Sequence, residues 1–368
     1  MRVLLISRDG FQYLQAVLPA LAAKGVEVEG VSLDALRARP PRWWPIRYEK
    51  LYFGSGGRQA LRARIAAFAP DLIHATGIRP VLLNTLLAAR DFPKVAIVHE
   101  RISAGGMNPL HPIDPFLFGS RRIDRIVFPS HATLNNWMGH RYTRRLAKPE
   151  RCEVLHYAFD LPPPTSPAER RAMRLRLGLD PDAFVIGTVC YIRPWKFVEF
   201  AAEVVASLTT ERPVVLAVVG TPGDGDYMAK IQAAGGARLK LLGLIPEAQR
   251  IMPAFDLYLT PTKLPGESFG MAFAEAMAQG VPGITMNYGA SAEVCAHGDT
   301  GYALPQKAGA WRTVIEGLIA DPARLSAMGA AARRRIAERF SPTVRAEDYI
   351  RLYAQAIAER RAIAASSA

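Results

Sequence analysis

The feature that most constrains the fold is an alternation of short apolar runs with stretches of helical periodicity, repeated in two series. The first series opens with MRVLLIS at residues 1–7, the turn Arg8-Asp9-Gly10, and an amphipathic stretch over 12–23 that stops at Lys24-Gly25. Further apolar runs stand at 26–31, 72–75, 95–99, 126–129 and 154–157, separated mostly by helix-length or loop segments and not by two-residue hairpin turns. A second series runs through 185–191, 214–220, 239–243, 257–260 and 284–286. Between them, residues 161–168, LPPPTSPA, hold four prolines in eight positions, the composition of a stiff connector. The expectation is α/β: two doubly wound, parallel, Rossmann-like sheets whose strand carboxyl ends face a central cleft. Residues 1–165 form the first domain and 166–343 the second, and a closing helix, 344–368, packs back on the first.

Composition narrows the function classes. At 368 residues and 50% hydrophobic, the chain can bury two cores. It has no apolar run of the roughly 18 residues a membrane span needs, and the apolar stretch before Asp9 is short for a secretion signal, so a cytoplasmic location is expected. Cys152, Cys190 and Cys295 lie far apart with no second Cys or His at metal-ligand spacing, which argues against a disulfide framework or a zinc cluster. Basic residues outnumber acidic ones by 46 to 33. Residues 1–160 hold 23 basic and 13 acidic side chains, and residues 161–368 hold 23 and 20, so the positive field belongs to the front half. Such a field suits nucleic acid, an anionic membrane or a phosphorylated small molecule. Within it, residues 37–64 carry eight basic side chains and one acid, Glu49, interleaved with Trp43, Trp44, Tyr48, Tyr52 and Phe53. That mixture fits a membrane headgroup region, a stacking surface for nucleic acid, or a solvated loop that packs its tryptophans on the core.

The most informative segment is PGESFGMAFAEAMAQGVP, residues 265–282. It sets Glu267 and Glu275 eight residues apart around Gly270, on a helical pattern starting near Ser268 or Phe269 and running to Gln279, with Gly280 as a stop. The free N–H groups and dipole of that helix start suit a diphosphate, and two carboxylates around it suit a sugar ring and a ribose on either side. One capping acid and one buried acid would give the same pair. The context decides: the segment follows the run 257–260 and precedes 283–287, then the loop Tyr288-Gly289-Ala290-Ser291-Ala292-Glu293, and His297-Gly298-Asp299-Thr300-Gly301. Here the chain resembles glycosyltransferase family 4, the retaining nucleotide-sugar transferases of the GT-B fold. Their signature is a Glu, seven residues and a second Glu beside an AEAMA-like helix. The resemblance also takes in Pro70-Asp71-Leu72-Ile73-His74, Phe128-Pro129-Ser130, Val219-Gly220, Leu242-Gly243, Phe255-Asp256-Leu257 and the final Phe340-Ser341 helix.

The resemblance implies a retaining, metal-independent hexosyltransferase with no resident cofactor. It would use a UDP- or GDP-type nucleoside diphosphate sugar and a glycan or lipid-linked acceptor in bacterial-type surface glycan or glycolipid synthesis. The aromatic–basic segment adds the expectation of peripheral placement on the inner face of an anionic membrane, and no nucleic acid partner is expected. Glu275 would take the ribose hydroxyls and Glu267 the transferred sugar, while Phe269, Gly270 and Met271 would offer main-chain N–H groups. A basic pair after the run 185–191 would neutralise the leaving diphosphate. Laid without gaps, Cys190-Tyr191-Ile192-Arg193-Pro194-Trp195-Lys196 keeps the family's lysine, Lys196, but puts Tyr191 where its arginine belongs, with Arg193 two residues later. His99 ends one strand and Gly10 ends the first, so both should point at the cleft, the His toward the sugar and the Gly toward the phosphates. Arg101, Ser103, Gly105 and Gly106 would form an acceptor-side lip. Asp224-Gly225-Asp226 imitates a metal motif but lies in a Gly/Pro turn, and no Gly-Lys-Ser/Thr follows Gly220 to Gly225, so no metal and no ATP chemistry are expected. The rival readings are a nucleotide-sugar epimerase of the same fold, a two-lobed sugar- or nucleotide-binding protein without catalysis, and, because of Tyr191, a relative that binds donor and turns over poorly.

Overall fold

Seven strands of the front half lie parallel in one sheet: β1 (Arg2–Ser7), β2 (Glu27–Ser32), β3 (Arg47–Lys50), β4 (Leu72–Thr76), β5 (Ala96–Glu100), β6 (Arg125–Phe128) and β7 (Cys152–Val154), in the order β3-β2-β1-β4-β5-β6-β7. Six more form a second parallel sheet: β8 (Phe184–Val189), β9 (Val214–Val219), β10 (Leu239–Gly243), β11 (Leu257–Thr260), β12 (Gly283–Met286) and β13 (Gly301–Leu304), ordered β10-β9-β8-β11-β12-β13. The computed structural model describes residues 1–8, 11–33, 47–50, 55–104, 113–139, 141–264 and 266–366, with 47–50 and 55 in backbone alone. Gly10, Gly105, Gly106 and half of the aromatic–basic segment 37–64, including Trp43, Trp44, Tyr52 and Phe53, lie outside the described residues.

The continuous apolar runs have a physical cause. Helices cover both faces of each sheet, so β4 and β5 bury every residue and cannot show the alternation of a half-wet strand. Two edge strands escaped the pattern reading: RYEK of β3, which has no apolar run, and the short GYAL of β13, whose apolar stretch is only Tyr302-Ala303-Leu304. The amphipathic stretch 12–23 becomes helix only at Leu18–Ala23, where a proline in the first turn sets the start.

The chain divides into two compact units, residues 1–158 with 340–368, and residues 159–339. In the first, the helix Pro342–Ser366 lays a stripe of buried Tyr349, Leu352, Tyr353 and Ala356 on the face of Val3, Leu5, Leu72 and Val98. Polar contacts fix its register. The Tyr353 hydroxyl meets His74 Nδ1 at 2.7 Å, and Arg360 Nε donates to Asp124 Oδ1 at 2.8 Å. The other Asp124 oxygen accepts the Ile97 N–H at 2.7 Å. Burial raises the Asp124 pKa, and the Arg360 hydrogen bond opposes that rise.

In the second unit, Gly220 follows β9 at φ +145°, and a Cβ there would lie 1.7 Å from the Cys190 carbonyl oxygen. That closeness lets the chain after β8 run beside the chain after β9, with Cys190 N–H bonded to Val219 O at 3.0 Å and Ile192 N–H to Thr221 O at 3.1 Å. The turn that carries Lys196 is thereby anchored to the sheet. No helix among the described residues is long and apolar enough to cross a membrane.

Arg360 and Asp124 are both buried, whereas Arg361, paired with Asp71 at 2.6 Å, is largely exposed. Arg360→Met removes the hydrogen-bonded cation of a buried carboxylate, leaving Arg122 at 3.9 Å as its remaining counter-charge, and should cost up to about 3–5 kcal/mol in urea unfolding. Arg361→Met should cost under about 1 kcal/mol. Equal losses for the two variants would refute the claim that the buried pair holds the closing helix.

Candidate functional site

The site in the second unit is built where β11 ends. Residues after Thr260 turn through Gly266 and Glu267 into the helix Met271–Ala278. The helix begins later than its sequence pattern suggests because Gly270, its N-cap, sits at φ +91° and cannot lie inside a right-handed helix. A Cβ on Gly270 would come within 2.2 Å of Ser291 Oγ and 3.3 Å of Glu267 Oε2, so both conformation and space require glycine. In the first turn, the N–H groups of Met271, Ala272 and Phe273 have no partner four residues back in the helix, which leaves positive potential at this end. Glu267 therefore stands four positions upstream of the helix and not at its cap. Phe269 is buried and stacks on Phe159 with centroids 5.6 Å apart, so only its main chain is available to a ligand.

Lys196 enters from the turn Pro194–Lys196 beyond β8, which ends at Val189 and not at Tyr191. Its Nζ forms an ion pair with Glu267 Oε1 and lies 4.4 Å from the centre of the Trp195 ring. Both partners are mostly shielded, at 15% and 14% side-chain exposure, which strengthens their attraction relative to a surface pair. The Thr262 hydroxyl stands 3.5 Å from the same carboxylate oxygen. Glu275, inside the helix, has its pKa pushed up to about 7, first by burial and second by the Glu267 charge. The structure thus brings Lys196, Glu267, Glu275 and Gly270 together.

Arg193 is placed differently. Its Nη1 lies 3.2 Å from the Ile192 carbonyl and 3.5 Å from that of Pro222, on the loop after β9. Tyr191, at the family's arginine position, is 68% exposed. Asp224 caps the helix Gly225–Gly235, accepting the Tyr227 N–H at 2.9 Å, which is the turn role its sequence context suggests.

In the first unit, His99 lies on β5 with its Nδ1 3.0 Å from the Ala75 carbonyl and its ring 5.8 Å from that of Phe118. Burial, and then the nearby Arg101 charge, lower its pKa to about 3, so the imidazole is neutral near pH 7. A neutral ring that donates through Nδ1 to a carbonyl keeps Nε2 as an acceptor. Arg101 stacks on Trp137 at 3.9 Å, and its Nη2 lies 3.5 Å from Ser103 Oγ. Gly10, expected at the phosphates, is outside the described residues, as are Gly105 and Gly106.

The sequence reading missed Thr262, Lys263 and Glu199, which surround the Lys196–Glu267 pair. Only the position of Thr262, just beyond a strand end, offered a signal.

A carboxyl group whose folded pKa lies above its unfolded value stabilises the fold fully at low pH and loses that contribution as pH rises through the folded value. Stability of the second unit should therefore fall between about pH 4.5 and 7 through Glu275, by on the order of 3 kcal/mol. Glu275→Gln should remove that slope and leave the unit more stable than wild type at pH 8. Urea titrations from pH 5 to 8 test this, and parallel curves for the two proteins would rule it out.

The description "Glycosyl transferases group 1" matches residues 169–335, and "Glycosyltransferase Family 4" matches residues 11–162. A D-inositol 3-phosphate glycosyltransferase of Rhodococcus jostii is 33% identical over 208 residues, covering 53% of this chain and 45% of that protein. This chain spans about half the length of that relative and of several others of the same name. A namesake from Segniliparus rotundus is 31% identical over 387 residues, covering 94% of this chain and 84% of its own length. Among solved structures, Anabaena HepE in complex with UDP and glucose superposes with a TM-score of 0.77 at 21% identity, covering 96% of this chain and 100% of that one. A glycosyltransferase from Rickettsia africae superposes at 0.82 with 13% identity, covering 97% and 98%. These structural likenesses are of fold. Matched in both halves by family descriptions and along most of its length by a relative, the chain belongs to glycosyltransferase family 4 and has the GT-B fold.

Proposed function

We propose that the protein is a retaining, metal-independent transferase that moves a hexose-like sugar from a UDP- or GDP-type donor to the hydroxyl of a glycan or lipid-linked acceptor. The observation that carries this reading is the gathering of Lys196, Glu267 and Glu275 around a helix start opened by Gly270. In it, the first-turn N–H groups and Lys196 hold the diphosphate, where negative charge grows as the sugar departs, so fixed positive groups lower the barrier. Glu275 accepts the ribose hydroxyls. Glu267 orients the hydroxyls of the transferred sugar. The sugar C1–O bond to the phosphate breaks, and the acceptor oxygen bonds to C1 on the same face. Its proton passes to the departing diphosphate, so no protein base is required. Arg193 is a weaker candidate for the phosphate, since its guanidinium faces main-chain carbonyls. Bacterial-type surface glycan or glycolipid synthesis, with peripheral residence on an anionic inner membrane face, completes the reading and is supported by the basic surplus of the front half.

Lys196 is paired with Glu267, so an incoming diphosphate competes with that carboxylate. Glu267→Gln should slow transfer by roughly 100-fold or more yet bind UDP or GDP several-fold more tightly, because the lysine is released. Weaker nucleotide binding in Glu267→Gln would contradict the exchange.

Glu275→Ala should weaken nucleotide binding roughly 10- to 100-fold, as expected for lost hydrogen bonds to a charged group. Incubation with UDP- and GDP-sugars in the presence of a chelator, following diphosphate release, tests the whole assignment. Epimerised sugar without release would mean an epimerase. Tight binding with neither product would mean a binding protein or a poorly active relative, the second being the reading that Tyr191 keeps open.

A further inference from the structure

Among the described residues assigned to the proposed donor site, Lys196 is the cation placed at it, because Tyr191 replaces the family's arginine and Arg193 faces carbonyls. The position of that single charge then governs how the diphosphate is held. Lys196 closes a tight turn followed by Phe197 at φ +55°, a left-handed conformation that side-chain-bearing residues rarely adopt. The helix that follows, Val198–Ala206, has no side-chain cap of its own. Something outside the turn must keep it in this shape.

We infer that Lys263, acting with Glu199 and Tyr227, is the positioning residue that fixes Lys196 for the diphosphate; this rests on the donor-site reading above. Lys263 joins the two loops that carry the ion pair. Its N–H donates to the Trp195 carbonyl at 2.8 Å, and its own carbonyl accepts the Gly266 N–H at 2.8 Å, one residue before Glu267. Its ammonium lies 3.9 Å from the centre of the Phe197 ring, over the left-handed residue, and 3.5 Å from Glu199 Oε1. The second Glu199 oxygen accepts the Tyr227 hydroxyl, which in turn accepts the Val198 N–H at 3.1 Å. That N–H belongs to the uncapped first turn, so the tyrosine does the work of the missing cap. The chain of contacts is continuous from the Glu267 loop to the start of the helix behind Lys196. In this arrangement the Lys263 charge, held over the Phe197 ring and against Glu199, serves the brace.

The test is calorimetric titration with UDP and with GDP, run in parallel on the whole protein. Lys263→Met keeps the aliphatic stem and removes the charge. It should raise the dissociation constant of whichever nucleotide the wild type binds by roughly tenfold, and Lys263→Arg should restore it to within about threefold. A merely structural role would lower the binding stoichiometry through loss of folded protein and leave the constant unchanged, which would overturn the inference. Glu199→Gln should match Lys263→Met, and the double variant should be no worse than about threefold beyond either single one. Were Lys263 a phosphate ligand itself, Glu199→Gln would tighten binding, and the brace would be wrong. If the wild type bound neither nucleotide, or Lys196→Met did not weaken binding, the donor-site reading would fail first. If both behaved as proposed and Lys263→Met were silent, the brace alone would fail.

Discussion

Two shielded carboxylates share a small volume with one lysine, and the rest of the site follows from that imbalance. Lys196 satisfies Glu267 and leaves Glu275 without a compensating charge, and burial then drives the second acid toward its protonated form. The diphosphate of the proposed donor would add further negative charge to the same place. A helix start favours such charge, and this one lies where it does because Gly270 takes a backbone angle that keeps the helix from beginning one turn earlier. Glycine, lysine and two acids are thus one electrostatic arrangement, and each makes sense only with the others present.

Sheet order explains why these loops meet. β8 and β11 are hydrogen-bonded neighbours although β9 and β10 come between them in the chain, since the crossovers first travel outward and then return to the other side of β8. At such a reversal the loops after the two strands splay to opposite faces and leave a crevice. Lys196 follows β8 and Glu267 follows β11, so the ion pair spans this gap. The first sheet repeats the device between β1 and β4.

Much of this was legible in the residues. Continuous apolar runs overlapped eleven of the thirteen strands, β7 at Val154 alone, since covered sheet faces leave a strong burial signal. β3 and β13 were invisible because an edge strand such as RYEK is held by backbone pairing and has no need of an apolar run. The eight-residue spacing of Glu267 and Glu275 was readable, but the helix start was misplaced by two or three positions. Pattern locates a helix, whereas its first residue depends on a single φ angle at Gly270. The brace behind Lys196 could not be read at all. Lys263, Glu199 and Tyr227 are distant in sequence and meet only through the fold, and nothing in their local context sets them apart from ordinary surface residues.

The arrangement of the first unit bears on how the chain is made. Tyr349, Leu352, Tyr353 and Ala356 cover a sheet face whose strands were all synthesised before residue 159, and residues 159–339 intervene. A ribosome therefore delivers everything needed for the second unit before the lid of the first. During that interval Val3, Leu5, Leu72 and Val98 stand uncovered on a nearly finished sheet, an adhesive surface that a nascent chain must shield until its final helix arrives.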